Sequence, residues 1–265
     1  MEGLPLQSDD KKTGILSIVS TGPGNTQQLT PAALKAIAKA EYIIGNNVYI
    51  DLIRPLITGK EVVKSPMGEE VNRAQMALDL AATHRVAMVS GGDAGVYGMA
   101  SIVLEVADRT QSKVPVEVIP GVTAATAAAS RLGSPLSGDY VTISLSDLLT
   151  PWEVIEERLD LASRMGVPMA IYNPRSRGRP HNLDTAIGII GRHRGDETPV
   201  GVVKNAYRPG EEVHVMTLAE LRADTSPIDM HSIVIIGGTE SRIWKVEDDV
   251  RGIITPRGYH RKYVY

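Results

Sequence analysis

The chain has 265 residues, 43% of them hydrophobic, with 28 Lys and Arg against 31 Asp and Glu for a formal charge of −3. That length suits two domains with sizeable cores, and the slight acidity argues against nucleic acid as the main partner, because phosphate backbones are met by basic surfaces. Cysteine is absent and the six histidines show no ligand spacing, which excludes disulfides, thiolate metal sites and cysteine nucleophiles, so no structural metal is expected.

Residues 1–13 form a polar N-terminal extension without the apolar core of a signal peptide. No run approaches the roughly 20 apolar residues that span a bilayer, and a cytoplasmic address is the default. An N-terminal α/β domain is expected over residues 14–120. There, short β-rich runs at 15–19, 42–44, 61–64, 86–89 and 116–119 alternate with helical patterns. The clearest helices are 30–40, with Thr30 as N-cap and Pro31 at the first helical position, and 69–82. A further helical-looking segment follows Met99. This rhythm is that of a mostly parallel α/β layer.

After Pro120-Gly121 an alanine-rich helix at 122–131 leads through Gly133-Ser134-Pro135 into more loosely spaced elements. A C-terminal α/β domain with a basic tail is expected over residues 121–265. Its strands are expected at 140–145, 169–172, 200–204, 213–216 and 233–236, and its further helices at 151–164, opened by Thr150, and at 183–193. The wider spacing points to a mixed sheet, and residues 257–265 read as an irregular basic tail.

The strand ends are where chemistry is expected. Gly91-Gly92-Asp93-Ala94-Gly95-Val96-Tyr97-Gly98-Met99 is a glycine-dense strand-to-helix turn, and glycine lets a ligand approach bare backbone where a chain leaves the sheet. The plainer alternative is a tight turn that needs its glycines for geometry alone. Ser20-Thr21-Gly22-Pro23-Gly24 resembles a phosphate loop, but Pro23 removes an N–H donor and no Gly-Lys-Ser/Thr follows, so triphosphates and dinucleotides are poor candidates. Ile119-Pro120-Gly121-Val122-Thr123-Ala124 brings a hydroxyl and free N–H groups to a helix start, unless Thr123 merely caps it. Tyr172-Asn173-Pro174-Arg175-Ser176 ends a strand in a ring and an amide suited to an adenine, or is an Asn-Pro turn. Lys204-Asn205-Ala206-Tyr207-Arg208 and Ile236-Gly237-Gly238-Thr239 end two more strands. Six such ends, with no triad, thiol or metal cluster, describe a site that binds and positions. Residues 171–210 carry seven Lys and Arg against three Asp and Glu, and residues 251–265 four against none; this suits an anionic small molecule, or is solvated loop charge.

Taken together, Gly22-Pro23-Gly24 with Leu29-Thr30, Gly91-Gly92-Asp93, Tyr97-Gly98 and Pro120-Gly121-Val122-Thr123-Ala124 resemble the tetrapyrrole methylases over nearly the whole chain. Three longer runs resemble the branch that methylates C-17 of precorrin-3B or cobalt-factor III. They are Ile143-Ser144-Leu145-Ser146-Asp147-Leu148-Leu149-Thr150-Pro151-Trp152, Tyr172-Asn173-Pro174-Arg175-Ser176 and Thr255-Pro256-Arg257-Gly258-Tyr259, joined by Asp93 to Met99. The resemblance implies two α/β domains with the methyl donor S-adenosylmethionine in the cleft between them, and a homodimer. It implies donor contacts from Pro23, Gly91, Gly92, Asp93, Val96, Thr123, Ala124, Tyr172, Asn173 and Ala206, with Asn205, Gly237 and Thr239 added. Two departures are visible: Ser20 stands where the family usually has glycine, which bears on the wall of the substrate trough, and Gly91 stands where this branch often has serine, with little consequence expected.

The implied reaction is transfer of the sulfonium methyl to C-17 of a corrin precursor, with ring contraction, in cobalamin synthesis. Methyl transfer needs alignment more than a base. Ring contraction benefits from a proton donor or acceptor, for which Asp147, Asp93 and His260 are the polar groups in these segments, unless Asp147 caps the turn that follows it. A carboxylate-rich macrocycle suits Arg175, Arg177, Arg179, Lys204, Arg208 and Arg257 as charge-assisted partners. No metal bound by the protein is implied; cobalt would belong to the substrate. A diphthine synthase, a methylase for another precorrin position and a non-catalytic adenosyl or tetrapyrrole sensor are the rival readings, and a nicotinamide oxidoreductase is a remote one.

Overall fold

The computed structural model describes residues 14–264, so the polar extension at 1–13 lies outside the described residues. The chain divides into two compact units, the first ending at Val122 and the second beginning at Thr123.

In the first unit β1 (Ile15–Ser20), α1 (Pro31–Lys39), β2 (Tyr42–Asn46), α2 (Asn47–Leu52), β3 (Glu61–Ser65), α3 (Glu70–Ala81), β4 (Arg85–Ser90), α4 (Ala100–Arg109) and β5 (Val116–Ile119) follow in order. The strands are all parallel, in the order β3-β2-β4-β1-β5. Both sheet faces are covered, so the central strands are apolar on both sides. Val19, Ile43, Ala87 and Val89 pack with Ala33 and Ile37 of α1 and Ile50 of α2. The alternate residues Leu16, Ile18, Ile44, Val86 and Met88 pack with Ala77 and Leu78 of α3 and Val103 of α4. Neighbouring strands β1 and β4 therefore send their chains to opposite faces, which is the switch point where open α/β sheets hold ligands. Thr30 caps α1, its Oγ1 accepting from the Ala33 N–H at 3.1 Å. The short α2 has its own cap, Asn46, whose Oδ1 accepts from Val48 N–H at 2.9 Å.

The second unit runs α5 (Ala124–Leu132), β6 (Gly133–Ser134), β7 (Val141–Ser144), α6 (Trp152–Met165), β8 (Met169–Tyr172), α7 (Asn182–Ile190), β9 (Pro199–Lys204), β10 (Glu212–Thr217), α8 (Leu218–Ala223), β11 (Ser232–Ile236), β12 (Arg242–Val246) and β13 (Asp249–Ile254). Its main sheet, β10-β9-β11-β8-β7, is mixed: β7 and β8 are parallel and the other neighbours antiparallel. One face packs on Ile155 and Leu159 of α6, Ile187 of α7 and Leu221 of α8. The helix α5 packs so closely that a Cβ on Gly201 of β9 would lie 2.3 Å from the Leu132 side chain. Strands β12, β13 and β6 form a small separate sheet. Thr150 does not open α6, because the N-cap position is Pro151 and has no side-chain bond. Residues 259–261 of the basic tail form a 3-10 turn. Among the described residues no helix is long and apolar enough to cross a membrane.

Candidate functional site

In the first unit the carboxyl ends of the adjacent strands β4, β1 and β5 deliver three turns to one sheet edge. Gly22 and Gly92 exchange backbone hydrogen bonds at 3.1 and 2.8 Å, coupling the first two. Asp93 couples the second to the third: its Oδ1 accepts from Gly95 N–H at 2.8 Å and its Oδ2 from Gly121 N–H at 2.9 Å. Glycine is required at 121, where a Cβ would lie 2.5 Å from that of Ser20 and 2.9 Å from the Gly92 carbonyl. The hydroxyl of Ser20 is wholly buried and accepts from Ala94 N–H at 2.8 Å. Ser20 therefore ties the β1 turn to the β4 turn and is no part of an open wall. Gly91 is also more constrained than its sequence suggests, since a Cβ there would meet the Tyr49 ring at 2.2 Å. Pro23 is buried, whereas Gly91, Gly92, Asp93 and Val96 remain partly exposed. Tyr97 takes the left-handed conformation, φ 53°.

In the second unit β8 and β9 both run antiparallel to β11, so Tyr172, Asn173, Lys204 and Asn205 share one edge of the sheet. The parallel neighbour β7 brings the Leu145–Ser146 bend to the same edge. Thr123 occupies the N-cap position of α5, yet its hydroxyl does not cap. It pairs with the Tyr172 hydroxyl at 2.6 Å, and that phenol oxygen accepts from Ala125 N–H at 2.8 Å, replacing the cap. Asn173 and Asn205 sit at φ 51° immediately after their strands, and Tyr207 at φ 60°. Side chains of short polar residues tolerate this region, but it still costs free energy, which concentrates at functional turns. Asn173 Nδ2 donates to Ser144 Oγ at 2.9 Å, and Asn205 Nδ2 to the Gly210 carbonyl at 3.3 Å. The loop that carries Asn205 and Ala206 is clamped to α5: the Tyr207 hydroxyl pairs with Ser130 at 2.8 Å, Arg131 stacks on its ring, and Glu211 bridges Arg131 at 2.6 Å. Tyr207 belongs to a strand end singled out in the sequence, whereas Ser130, Arg131 and Glu211 were not expected at the site, and only the opposite charges of Arg131 and Glu211 hinted at them.

Gly237 and Thr239 do not join this group. Strand β11 runs against β8 and β9, so its carboxyl end lies at the opposite edge of the sheet. There Thr239 Oγ1 accepts from Arg194 Nη1 at 3.2 Å, its N–H donates to the Gly166 carbonyl at 2.8 Å, and a Cβ on Gly237 would meet Ser241.

The expected cations are also divided. Arg175 is held inside its unit, donating to the Thr225 carbonyl at 3.0 Å, to Thr225 Oγ1 at 2.7 Å and to Asp184 at 3.1 Å. Arg179 bonds the Ser146 hydroxyl and lies 3.9 Å from Asp147. Lys204 pairs with Asp229 at 3.0 Å; the hydrogen bond and charge of that carboxylate raise its pKa. Burial works against the charge of Asp229, but the His231 N–H and Lys204 hold its pKa below the ordinary value. The Arg208 backbone N–H donates to Asn205 at 2.8 Å, fixing the turn. Arg177 is exposed. Arg257 is at the edge of the sheet that carries Gly237, lining a cavity of about 280 Å³ with Pro168 and Gly238, its guanidinium 5.9 Å from the Tyr259 ring centre. Asp147 is exposed and caps no helix. The His260 side chain lies outside the described set.

Residues 16–222 match the family model described as Tetrapyrrole (Corrin/Porphyrin) Methylases. The chain belongs to this family. Among curated relatives, this tetrapyrrole methylase is 44% identical over 246 residues to a Salmonella typhimurium protein named probable cobalt-factor III C(17)-methyltransferase, covering 92% of this chain and 99% of that one. It is 42% identical to the precorrin-3B C(17)-methyltransferase of a Sinorhizobium species, covering 93% and 98% of the two chains. The chain spans about half, 54%, of a longer Archaeoglobus fulgidus relative named CbiHC, with 45% identity. Among solved structures, the methyltransferase CobJ superposes with a TM-score of 0.85 at 32% identity, covering 92% of this chain and all of that one. The fold of this chain is thus shared with that methyltransferase.

Proposed function

We propose that this tetrapyrrole methylase transfers a methyl group from S-adenosylmethionine to C-17 of precorrin-3B or cobalt-factor III, with ring contraction, in cobalamin synthesis. The observation that carries the proposal is the first unit's strand-end edge, where three turns are locked by Asp93 and the Gly22–Gly92 pair while Gly91, Gly92 and Val96 stay partly exposed. That bare backbone fits a donor with an amino-acid end and a flat base. The donor-holding residues are Pro23, Gly91, Gly92, Asp93 and Val96 of the first unit, and Thr123, Ala124, Tyr172, Asn173, Asn205 and Ala206 of the second. Gly237 and Thr239 drop out of the set because they lie at the other edge of their sheet.

When bound, S-adenosylmethionine supplies a methyl group already attached to a good leaving group. The chain's own task is then alignment, and reacting carbons held about 3 to 3.5 Å apart account for much of an acceleration of this kind. Turns fixed by Asp93, the Tyr172–Thr123 pair and the Arg131–Glu211 clamp supply that rigidity. Arg177, Arg179, Lys204 and Arg208 face the macrocycle's carboxylates, while Arg175 positions the loop from within. For ring contraction Asp147 is the carboxylate on the substrate side, 3.9 Å from Arg179, and is the group that moves a proton. Asp147→Asn is expected to retain methyl transfer and to lose contracted product, read by the mass and visible spectrum of the macrocycle. Assembly as a homodimer in the cytoplasm completes the proposal.

Anaerobic incubation of the protein with the donor and each macrocycle, followed by mass spectrometry, tests this function. A gain of one methyl in at least one mixture is expected. No gain in either, with the donor bound, would move the function to another acceptor.

A further inference from the structure

Leu148 and Leu149 are 81% and 93% exposed, at the tip of the bend between β7 and α6. The base of that bend is fixed on every side. Leu145 is fully buried and its N–H donates to the Tyr172 carbonyl at 2.9 Å, Asn182 Nδ2 donates to the Leu145 carbonyl at 2.9 Å, and Ser146 N–H donates to Ser144 Oγ at 3.2 Å. Arg179 adds its bond to the Ser146 hydroxyl. A fixed bend that presents two adjacent leucines to solvent forgoes their burial, and contiguous exposed apolar surface marks a binding face.

The surroundings indicate the occupant. The bend stands at the sheet edge shared by Tyr172, Asn173, Lys204 and Asn205. Arg177, two residues from Arg179 along the neighbouring loop, is exposed there. An aliphatic pair beside cations complements a broad ligand with an apolar face and a carboxylate rim. We infer that Leu148 and Leu149 form a rest for one face of the tetrapyrrole macrocycle and set its affinity, an inference that rests on the methyltransferase function proposed above.

The test is steady-state kinetics of the Leu148→Ser/Leu149→Ser double variant at saturating donor, with donor titration by calorimetry and sedimentation velocity alongside. The macrocycle KM is expected to rise at least roughly tenfold, with donor affinity and oligomeric state unchanged. The Leu148→Met/Leu149→Met variant is expected to keep the wild-type KM. An unchanged KM in the serine variant would overturn the inference, as would a shift in its sedimentation, which would make the leucines a contact between copies of the chain. Wild-type protein inactive on every corrin precursor would instead defeat the methyltransferase function itself, so the two failures are distinguishable.

Discussion

At Asp93 both carboxylate oxygens accept backbone N–H groups, one within its own turn and one from the turn after β5. Asparagine offers a single acceptor oxygen and would set an NH₂ against one of those donors. Asp93→Asn is therefore expected to lower stability by about 2–3 kcal/mol, read by urea unfolding, and to weaken donor binding in calorimetry. Unchanged stability would show that the turns hold without it. Tyr172 has the equivalent place in the second unit. Tyr172→Phe leaves the Ala125 N–H and the Thr123 hydroxyl without their partner, with an expected cost of about 1–3 kcal/mol and faster amide exchange in the first turn of α5. Exchange at wild-type rates there would contradict the cap assigned to the phenol.

At the scale of elements, close packing of turns and helices decides which side chains fit. Gly91→Ser places a Cβ against the Tyr49 ring of α2, and overpacking of this kind costs about 1–3 kcal/mol. Combining it with Tyr49→Leu is expected to recover part of the loss, a non-additive pair in a double-mutant cycle; strict additivity would mean that the ring is not the obstacle. This is one place where the chain's pattern was insufficient, because a helix of six residues (α2) leaves no periodicity to read and so hides the ring that faces Gly91. The parallel layer itself was legible: alternating β and helical runs reported two covered faces, and Thr30-Pro31 marked the start of α1. The mixed second sheet was legible as well. The direction of β11 was not, since strand sense is decided by pairing with distant segments, and Gly237 and Thr239 were grouped with the other strand ends for that reason. The β12–β13 hairpin escaped because most of its residues are exposed, which removes the apolar alternation. The Thr217–Glu220 capping box of α8 was written in the chain as Thr-x-x-Glu and went unused. Among the cations, clustering in sequence did not reveal the acceptors Thr225, Asp184 and Asp229 that engage Arg175 and Lys204.

Among the described residues, carboxylates held below their ordinary pKa are concentrated in the second unit. His193 holds the pKa of Asp160 below the ordinary carboxylate value, Thr217 does so for Glu220 and Ser226 for Asp224, and Asp229 is lowered as described, while in the first unit Arg54 lowers Asp51. A carboxylate whose folded pKa is depressed contributes stability above its unfolded pKa and loses it as pH falls through the folded value. Both tryptophans, Trp152 and Trp244, belong to the second unit, so their fluorescence reads that unit alone. Its urea midpoint is expected to fall as pH drops below about 4, and a midpoint unchanged between pH 5 and pH 3 would contradict the assigned partners of these carboxylates. Lys204 has the opposite sign: its raised pKa keeps the Asp229 pair intact through neutral pH, and its contribution is lost only as pH rises through the folded value, beyond the ordinary lysine range.

The proposed reaction is regiospecific methyl transfer by residues that align rather than activate. Its most direct test supplies carbon-13-labelled methyl donor with precorrin-3B and with cobalt-factor III under anaerobic conditions and locates the label in the product by NMR. The label is expected at C-17 of at least one macrocycle. Label at any other carbon, or none in either product, would contradict it.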